Sequence, residues 1–490
     1  MAKPYSEQPM FQLLSKQQRE RIHLASLRIL EEVGVMIQSD TALKLVADAG
    51  AHVDKKNIAH IPQHLVNDSL VKVPSTISMF SRDGKHDLVL EGNRVHFDPG
   101  SSTYYLLDSE TLEIRRPLSR ELANFVRLTD GLEHIQAQST ALVVSDVPNS
   151  VVDRYRLYIV LKNSPKTIVT GSFGSGGLLD MKDMLAAVVG GEDELARRPL
   201  AIFDVCPSAP LKWGDFIVED LMDCAKYGIP AEILPMPQLG ATGPVTLAGS
   251  LAQLNAEFLS GLVISQLAKP GAPVIYGGSP TTFDMHHCTA RLGAIETVML
   301  GCAYAQMGKF YGLPTHMYLG LTDTKVVDAQ AGFESATGII LGALAGINVI
   351  SGPGMLDLEN CLSYEKLVID DTICGMAERL VRGIDVNDDT IAFDVIRRVG
   401  AGGHFLADKH TIEWFKKELF IPSELVDRQD LKLWKEQGSK DTFKRAKEIA
   451  QKIIRDHNPE PMSPDVERNL DNVTRKIMKA QGVDKLPLGP

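Results

Sequence analysis

Eight short apolar segments recur between residues 96 and 352, and each ends near a cluster of Gly, Ser, Pro or Asp residues. They begin at His96 (HFDPGSS), His134 (HIQAQST), Thr167 (TIVTGSFG), Leu200 (LAIFDVCPS), Ala231 (AEILPMPQLG), Ala272 (APVIYGGSP), Leu313 (LPTHMYLGLTD) and Ile347 (INVISGPG). Consecutive segments are separated by a stretch long enough for a crossover helix. Eight such repeats predict an α/β fold, a (β/α)8 TIM barrel whose chemistry lies at the C-terminal ends of the strands.

The stretches between the apolar segments predict eight barrel helices. We expect them near Ser119–Leu132, Val152–Lys162, Gly177–Val189, Gly214–Tyr227, Thr246–Leu267, Thr289–Gln306, Asp328–Ala345 and Glu365–Arg382. The fifth and seventh are rich in Ala, Gly and Ser, which favours close packing against the barrel or against a neighbouring subunit. A homo-oligomer is therefore expected.

The regions on either side of the barrel predict further helices. Residues 1–92 contain three helical segments, LSKQQRERIHLASLRILEEVGV, SDTALKLVADAGA and IPQHLVNDSLVKV, and then two alternating segments typical of a hairpin. We interpret residues 1–92 as a helical N-terminal cap and 93–385 as the barrel. The charged, helix-forming residues 386–490 are interpreted as a helical C-terminal extension.

The composition limits the classes of function. With 44% apolar and 23% charged residues, the chain is typical of a soluble globular protein. A net charge of −11 without a basic run argues against nucleic-acid binding. We find no apolar stretch long enough to cross a bilayer, and no apolar signal core at the N-terminus, so no membrane association is expected. The six cysteines show no CxxC pairing, which indicates reduced thiols and a cytoplasmic location.

The residues after the strands are rich in hydroxyl and aromatic groups, and no Lys or Arg stands at a strand end itself. Aromatic ring faces attract a desolvated cation without offering a nucleophile, which suits a quaternary ammonium group. The candidate cage walls are Phe97, Tyr104, Phe283 and Tyr318, with Asp98 or Glu334 adding negative potential.

Metal binding and phosphate binding are weakly indicated. His286, His287 and Cys288 have the side chains of metal ligands, but adjacent residues rarely converge on one ion. Cys206 and His316 both follow strands and offer an alternative zinc pair, so a metal-dependent lyase or aldolase-type barrel stays open. The run GSFGSGG from Gly171 matches neither a phosphate-binding loop nor a dinucleotide fingerprint. We expect no bound metal in this chain.

Three long segments resemble signature segments of the trimethylamine methyltransferase family: GATGPVTLAGSLAQLNAEFLSGLVISQLAKPGAPVIYGG, LTDTKVVDAQAGFESATG and GAGGHFLADKHTIEWF. The resemblance covers essentially the whole chain. It implies a TIM barrel that moves a methyl group from a methylated amine to the cobalt of a separate corrinoid protein. Founding members carry pyrrolysine, whereas this chain has only standard residues, and Lys325 is the closest chemical relative in the corresponding segment.

Members without pyrrolysine resemble demethylases of quaternary amines, so the resemblance implies glycine betaine as the substrate and a cognate corrinoid protein as the partner. A quaternary ammonium needs no proton donor, so we expect no catalytic residue beyond positioning groups. Phe97, Phe283 and Tyr318 would hold the trimethylammonium group, and His316 or His286 with Gln238 would bind the carboxylate. Ser279, Ser351 and Gly352 would face the corrinoid. The alternatives are a longer betaine (proline betaine, carnitine or γ-butyrobetaine) and a betaine-binding protein without turnover.

Overall fold

The computed structural model describes residues 8–489 and is built from 21 short strands, 18 α-helices and one π-helical turn, Ile29–Val33. The strands are β1 Val35–Ile37, β2 His52–Val53, β3 Ile58–His60, β4 Ile77–Met79, β5 Leu88–Leu90, β6 His96–Phe97, β7 Tyr105–Leu107, β8 Ile114–Arg115, β9 Gln138–Ser139, β10 Ile168–Thr170, β11 Ala201–Val205, β12 Lys212–Trp213, β13 Ala231–Ile233, β14 Gln238–Leu239, β15 Val274–Gly278, β16 Thr281–Asp284, β17 Thr289–Arg291, β18 Thr315–Tyr318, β19 Val349–Ser351, β20 Met355–Leu356 and β21 Cys361–Leu362.

The helices account for most of the remaining chain. They are α1 Lys16–Arg28, α2 Asp40–Asp48, α3 Gln63–Lys72, α4 Ser119–Gly131, α5 Val152–Asn163, α6 Gly177–Val189, α7 Glu192–Arg197, α8 Asp215–Tyr227, α9 Leu247–Ala268, α10 Ile295–Phe310, α11 Ala329–Leu344, α12 Tyr364–Arg382, α13 Asp388–Ile391, α14 Phe393–Val399, α15 Lys409–Glu418, α16 Leu431–Glu436, α17 Thr442–Asp456 and α18 Pro464–Ala480. Side-chain caps fix several starts: Asp328 accepts from two backbone amides at the start of α11, and Ser363 from one in α12.

Eight parallel strands form the central barrel. Their spatial order is β6-β19-β18-β15-β13-β11-β10-β9, which is chain order around a ring. The ring closes between its first two strands, because the backbone amides of Gln136 and Ala137 donate to the carbonyl of Phe97 at 2.9 and 3.2 Å. A parallel bridge from Thr103 to Leu142 continues this contact. All eight predicted strands and the predicted fold class are confirmed.

Seven of the eight barrel helices lie where the sequence predicts them. The sixth, α10, begins at Ile295, so the predicted start at Thr289 is wrong. Residues 281–291 instead form the hairpin β16–β17, whose turn is stabilised by Asp284. The Asp284 carboxylate accepts from the backbone amides of His286 and His287 and pairs with Arg291 across the hairpin.

The N-terminal end of the barrel is closed by the hairpin β4–β5. Apolar side chains of this hairpin pack against inward-facing residues of the barrel strands; together these are Ile77, Met79, Leu88, Leu90, Ala137, Val169, Ile202, Ile275 and Val349. Side chains alternate along a strand, so the positions two residues further on also face inward. The barrel interior above this apolar plug therefore opens only towards the C-terminal ends of the strands.

The N-terminal region combines α1–α3 with short strands and packs mainly on α9. Strands of two or three residues give no periodic signal, which is why β1–β3 were not predicted. Helix α9 is long and apolar enough to cross a membrane, which corrects the sequence expectation, but 83% of its apolar window is buried inside the protein. It is surrounded by α1, α2, α3, α8 and α10, as expected of a core helix.

The C-terminal region lies on the outside of the barrel. Helix α17 packs on α12 and α4, and α18 packs on α6 and α5. The barrel strands and helices run from His96 to Arg382, and the division at residues 92 and 385 stays a prediction.

Candidate functional site

The interior positions above the apolar plug carry polar groups. Asp204 follows Ile202 and Ser351 follows Val349 at the same inward spacing, while Asp98, Glu232 and His316 come from three further strands or strand ends. All except the half-buried Asp204 are buried. We call these five residues the acid–histidine cluster.

His316 connects the members of this cluster. Its Nε2 lies 2.6 Å from Ser351 Oγ, and Ser351 Oγ donates to Asp98 Oδ1 at 2.5 Å. On the other side of the ring, Nδ1 lies 2.5 Å from Glu232 Oε2, although the two groups are not aligned as a hydrogen bond. Both carboxyl oxygens of Glu232 therefore lack a hydrogen-bond partner among residues 8–489.

Burial governs the protonation of the cluster. It raises the pKa of Asp98 to about 7, and it raises the pKa values of Asp204 and Glu232 well above their usual ranges. Repulsion from Glu232 adds to the rise for Asp204, and repulsion from Asp98 adds to the rise for Glu232. Burial also lowers the pKa of His316. The cluster thus favours protonated acids and a neutral imidazole when no cation is present. A bound cation would reverse this preference by stabilising the carboxylates.

Tyr318 extends the cluster towards the opening at the C-terminal ends of the strands, which we call the mouth of the barrel. Its hydroxyl donates to Asp204 Oδ2 at 3.0 Å, and its ring is stacked with the imidazole of His316 at a centroid distance of 5.6 Å. Tyr318 is 7% exposed, and it is the one predicted cage residue that directly contacts the acid–histidine cluster through a hydrogen bond.

A fourth carboxyl group approaches from the segment after β20. Asp357, Leu358 and Glu359 all have positive φ angles, between 51° and 68°, an arrangement that is rare for non-glycine residues. This tight turn brings the Glu359 carboxyl to Ser279, whose Oγ donates to it at 3.3 Å. Burial raises the pKa of Glu359 to about 7.

One buried cation faces this acidic mouth. Arg156 lies in the second turn of α5, and its Nη2 donates to Ser102 Oγ at 3.0 Å. Its guanidinium lies over the ring of Phe173 at 4.8 Å, and burial lowers its pKa to about 10, so it stays charged at neutral pH. Its Nε and Nη1 have no hydrogen-bond partner in the described chain.

The structure separates the predicted cage residues. Phe97 pairs in register with Ile350, on the face opposite to Asp98, and it is fully buried in the main core rather than in the barrel interior. Tyr104 is 47% exposed and covered by Arg116. The position of Phe97 does not favour contact with a substrate in the barrel, whereas Tyr318 is well placed for it. Tyr104 acts electrostatically on Arg156 but does not contact the acid–histidine cluster through a hydrogen bond.

The remaining predicted substrate residues lie outside the cluster. Gln238 and the half-buried Phe283 are in the small sheet β14-β16-β17, and the exposed His286 is in its hairpin turn. Glu334, on α11, accepts from Thr322 and from the backbone amide of Asp323, so it holds the segment after β18.

The residues expected to face the corrinoid also have structural partners. Ser351 is engaged by His316 and Asp98, and Ser279 by Glu359. Gly352 has a φ of 117°, and a Cβ there would stand 3.0 Å from the backbone of Gly320. Lys325 is exposed, 3.3 Å from Asp357, and does not join the cluster.

Glu232, Glu359 and Arg156 were missed in the sequence. Glu232 could have been found, because a charged residue in the apolar strand AEILP is unusual in a buried parallel strand. Arg156 has no such signal, since VDRYRLYIVLKN contains two arginines of the same apparent character and only packing distinguishes them.

Three cluster side chains could also hold a metal ion. The ligand atoms of Asp204, Glu232 and His316 lie within 4.8 Å of one another. Two ligand atoms on one tetrahedral zinc ion stand about 3.3 Å apart, given bonds of about 2.0 Å. The 2.5 Å contact of Glu232 with His316 is shorter, so an ion would require the two to separate. His287 and Cys288 are exposed in the β16–β17 turn, away from this group.

Comparison with known proteins agrees with this architecture. The trimethylamine methyltransferase family model matches residues 1–481. Trimethylamine methyltransferase MttB of Desulfitobacterium hafniense (strain DSM 10664 / DCB-2) is 36% identical over 94% of this chain and 93% of its own length. Glycine betaine methyltransferase of Desulfitobacterium hafniense (strain Y51) is 31% identical over 94% and 96%, respectively.

Among solved structures, the monomethylamine methyltransferase MtmB of Methanosarcina barkeri has a similar fold. Its TM-score is 0.53 at 11% sequence identity, and the match covers 97% of this chain and 89% of that one. At this identity the likeness supports the fold alone. The family match and the identity of the relatives carry the assignment: the chain belongs to the trimethylamine methyltransferase family.

Proposed function

We propose that the protein transfers a methyl group from glycine betaine to the Co(I) centre of a cognate corrinoid protein. In this reaction the N–CH3 bond breaks and a Co–CH3 bond forms. Co(I) supplies the electron pair and becomes methyl-Co(III), while nitrogen keeps the N–C bonding pair and leaves as dimethylglycine. No proton is transferred, so the reaction is balanced without an acid or base.

The observation that carries the proposal is the acidic, largely buried mouth of the barrel. Asp98, Asp204, Glu232 and Glu359 place four carboxyl groups around one interior. Burial raises their pKa values, and a cation bound among them would favour their ionised, negatively charged forms. A quaternary ammonium carries that charge without donating a hydrogen bond, and its methyl groups suit the ring face of Tyr318.

The chain's own contribution would then be binding and orientation. The carboxylates attract the ammonium group, and Tyr318 provides an apolar face that limits its rotation. The apolar plug below the cluster prevents approach from the N-terminal end of the barrel. The methyl acceptor must therefore approach the C-terminal rim, where we expect the corrinoid protein to dock in the cytoplasm. Holding the methyl group in line with the acceptor can supply a large part of the rate enhancement.

Trimethylamine is the second candidate substrate. A relative with that activity in its name is 36% identical, compared with 31% for the glycine betaine methyltransferase. The acidic mouth also suits trimethylammonium, whereas the unpaired Arg156 favours a substrate that carries a carboxylate as well. Proline betaine, carnitine and γ-butyrobetaine remain alternatives on the same grounds.

We also infer a homo-oligomer, because large apolar side chains between residues 384 and 433 are exposed. They are Ile384, Val386, Ile391, Phe393, Ile396, Phe405, Leu406, Ile412, Phe415, Leu419, Ile421, Leu431 and Leu433. Such a concentration is typical of an interaction surface. Light scattering of the purified chain measures the oligomeric state, and a monomer would contradict this inference.

The experiment that tests the proposed activity is methylation of cob(I)alamin, free and bound to the corrinoid protein, followed by visible absorbance. The panel contains glycine betaine, the three longer betaines, trimethylamine and a reaction without amine. We expect methyl-Co(III) and dimethylglycine in equal amounts from glycine betaine. Signal from trimethylamine alone would replace the substrate. No methyl transfer with the corrinoid protein present, despite tight betaine binding, would favour a binding protein.

A further inference from the structure

Arg156 is buried, yet no carboxylate among residues 8–489 pairs with it. Asp153, the acid that acts most strongly on the charge of Arg156, is engaged by Arg154, whose Nη1 donates to Asp153 Oδ1 at 2.9 Å. Of the guanidinium nitrogens of Arg156, only Nη2 is hydrogen-bonded, and its acceptor is the neutral hydroxyl of Ser102. A buried guanidinium is costly without an anion, so this arrangement calls for one from outside the chain.

The position of Arg156 relates it to the acidic mouth. It is held between the segments that follow β6 and β10, through Ser102 and Phe173, and its charge interacts with Tyr318 and Asp204. A positive group therefore lies beside a cluster of carboxyl groups, both at the C-terminal end of the barrel. This separation of charge complements a zwitterion better than a simple cation.

We propose that Arg156 is the carboxylate-binding residue of the substrate site and selects methylated amino acids over methylated amines that lack an acid group. The guanidinium would bind the carboxylate through Nη2 together with Nε or Nη1, in the forked geometry that suits two carboxylate oxygens. The inference rests on the proposed function and deepens it, because it assigns the second charged end of the substrate.

The unpaired nitrogens of Arg156 are shielded from solvent. The group that covers them must therefore move before a substrate carboxylate can bind. Phe173 provides this cover, and it lies in the segment GSFGSGG, which contains Gly171, Gly174, Gly176 and Gly177. A Cβ at Gly174 or Gly176 would meet no atom within 4 Å. The glycines give the segment conformational freedom, so the ring can leave the guanidinium when a carboxylate replaces it. This assigns a role to a run that matches no phosphate-binding motif.

A second arginine that follows a barrel strand, Arg291, is already paired, which makes a matched control available. Arg291 donates to Asp284 through Nε at 2.7 Å and also through Nη2, and it lies on the exposed hairpin β16–β17. Replacement of Arg291 with Gln removes one positive charge from the same end of the barrel without touching Arg156.

The test is equilibrium binding by calorimetry, with glycine betaine, proline betaine, carnitine, γ-butyrobetaine, choline and tetramethylammonium as ligands. Choline keeps the trimethylammonium group of glycine betaine and has a hydroxyl in place of the acid. We expect the wild type to bind its best carboxylated ligand at least about 100-fold more tightly than choline. In Arg156→Gln this ratio should fall below about tenfold, with an intermediate value in Arg156→Lys. Arg291→Gln should keep the wild-type ratio.

A ratio that is unchanged in a folded Arg156→Gln protein would overturn the inference, and so would a wild type that binds choline as tightly as every carboxylated ligand. If Arg156→Gln does not fold, Arg156→Lys, which keeps the buried charge, decides the question.

Phe173→Ala should tighten the binding of the carboxylated ligand severalfold, and weaker binding would exclude the covering role. Because binding requires no corrinoid, selective binding without methyl transfer would reject only the proposed activity. Methyl transfer with an Arg156-independent ratio would reject only this inference.

Discussion

The carboxyl group of Glu232 occupies space that exists only because residue 277 is glycine. A Cβ at Gly277 would stand 2.1 Å from Glu232 Oε1 and 2.2 Å from its Cγ. The two residues lie on neighbouring parallel strands, β13 and β15, and both positions are interior. The small residue therefore allows a full carboxyl group to lie inside the barrel beside His316.

This relationship predicts the effect of Gly277→Ala. The added methyl group would displace Glu232 from its position beside His316, and overpacking of this kind lowers the free energy of unfolding by about 1–3 kcal/mol. We expect turnover of the amine substrate to fall at least about tenfold, because the Glu232 carboxyl group moves from the site. Denaturant unfolding and initial rates of cobalt methylation measure the two effects.

Gly332→Ala is the matched control for this substitution. Gly332 lies in α11, and a Cβ there would meet no atom within 4 Å. Alanine is favoured over glycine in a helix by about 0.8–1.0 kcal/mol, so the control should be slightly more stable and fully active. Equal behaviour of the two variants would contradict the packing role of Gly277.

The sequence predicted the barrel well because the physical signal is local. An apolar run that ends in Gly, Ser, Pro or Asp marks a buried strand and its end, and all eight such runs proved to be barrel strands. The start of α10 was wrong because Asp284 stabilises a hairpin turn by contacts that a helical pattern does not reveal.

The site was predicted less well because it depends on strand parity and on convergence of distant segments. Phe97 and Asp98 are adjacent, and only the pairing of Phe97 with Ile350 shows that the acid, not the ring, faces inward. Arg156 is distinguished from Arg154 by what surrounds each guanidinium. Neither fact is present in residue spacing.

A second prediction concerns the ring and the hydroxyl of Tyr318. Tyr318→Ala removes the aromatic face, so we expect turnover to fall at least about tenfold with the fold intact. Tyr318→Phe keeps the ring and loses only the hydrogen bond to Asp204, so it should retain most of the activity. Tyr227→Ala is the control, because Tyr227 ends α8 and contacts Lys182 and Lys226 rather than the cluster. A Tyr227→Ala loss equal to that of Tyr318→Ala would reject the assignment of Tyr318 to the substrate site.

A third prediction concerns His316, which joins Glu232 to Ser351. His316→Ala removes the ring between them and leaves buried carboxyl and hydroxyl groups with fewer partners. We expect at least about a tenfold loss of turnover and a lower free energy of unfolding, by about 1–3 kcal/mol, from the unsatisfied polar groups. Circular dichroism and thermal unfolding confirm that the variant is folded, and near-normal rates would exclude a role for His316 in the site.

A fourth prediction follows from the pKa of Asp98, which burial raises to about 7 from 3.8. In the unfolded chain Asp98 ionises above about pH 4, whereas in the folded protein it keeps its proton up to about 7. Its contribution to stability is therefore fully present below pH 4 and is lost as the pH rises towards 7. Between these two pH values, the free energy of unfolding should fall by about 1.4 kcal/mol for each pH unit.

Asp98→Asn removes this titration, so its free energy of unfolding should fall less steeply than that of the wild type between pH 5 and 7. Asp108→Asn is the control: hydrogen bonds from backbone amides lower the pKa of Asp108 to about 2, so its contribution changes only in more acidic solution. Denaturant unfolding at a series of pH values gives the slopes. Parallel curves for the wild type and Asp98→Asn would contradict a raised pKa at this residue.

The last prediction concerns metal. The close contact of Glu232 Oε2 with His316 Nδ1, at 2.5 Å, competes with any ion that would use both as ligands. We therefore expect the purified protein to contain well under one zinc ion per chain by elemental analysis, and its turnover to be unchanged after dialysis against a chelator. Glu232→Gln serves as the comparison, because an ion held at this place would lose a carboxylate ligand. The opposite result would be stoichiometric zinc that is lost in Glu232→Gln, together with activity that is lost on chelation and restored by zinc. That result would establish a metal centre and direct the mechanism towards Lewis-acid chemistry at Asp204, Glu232 and His316.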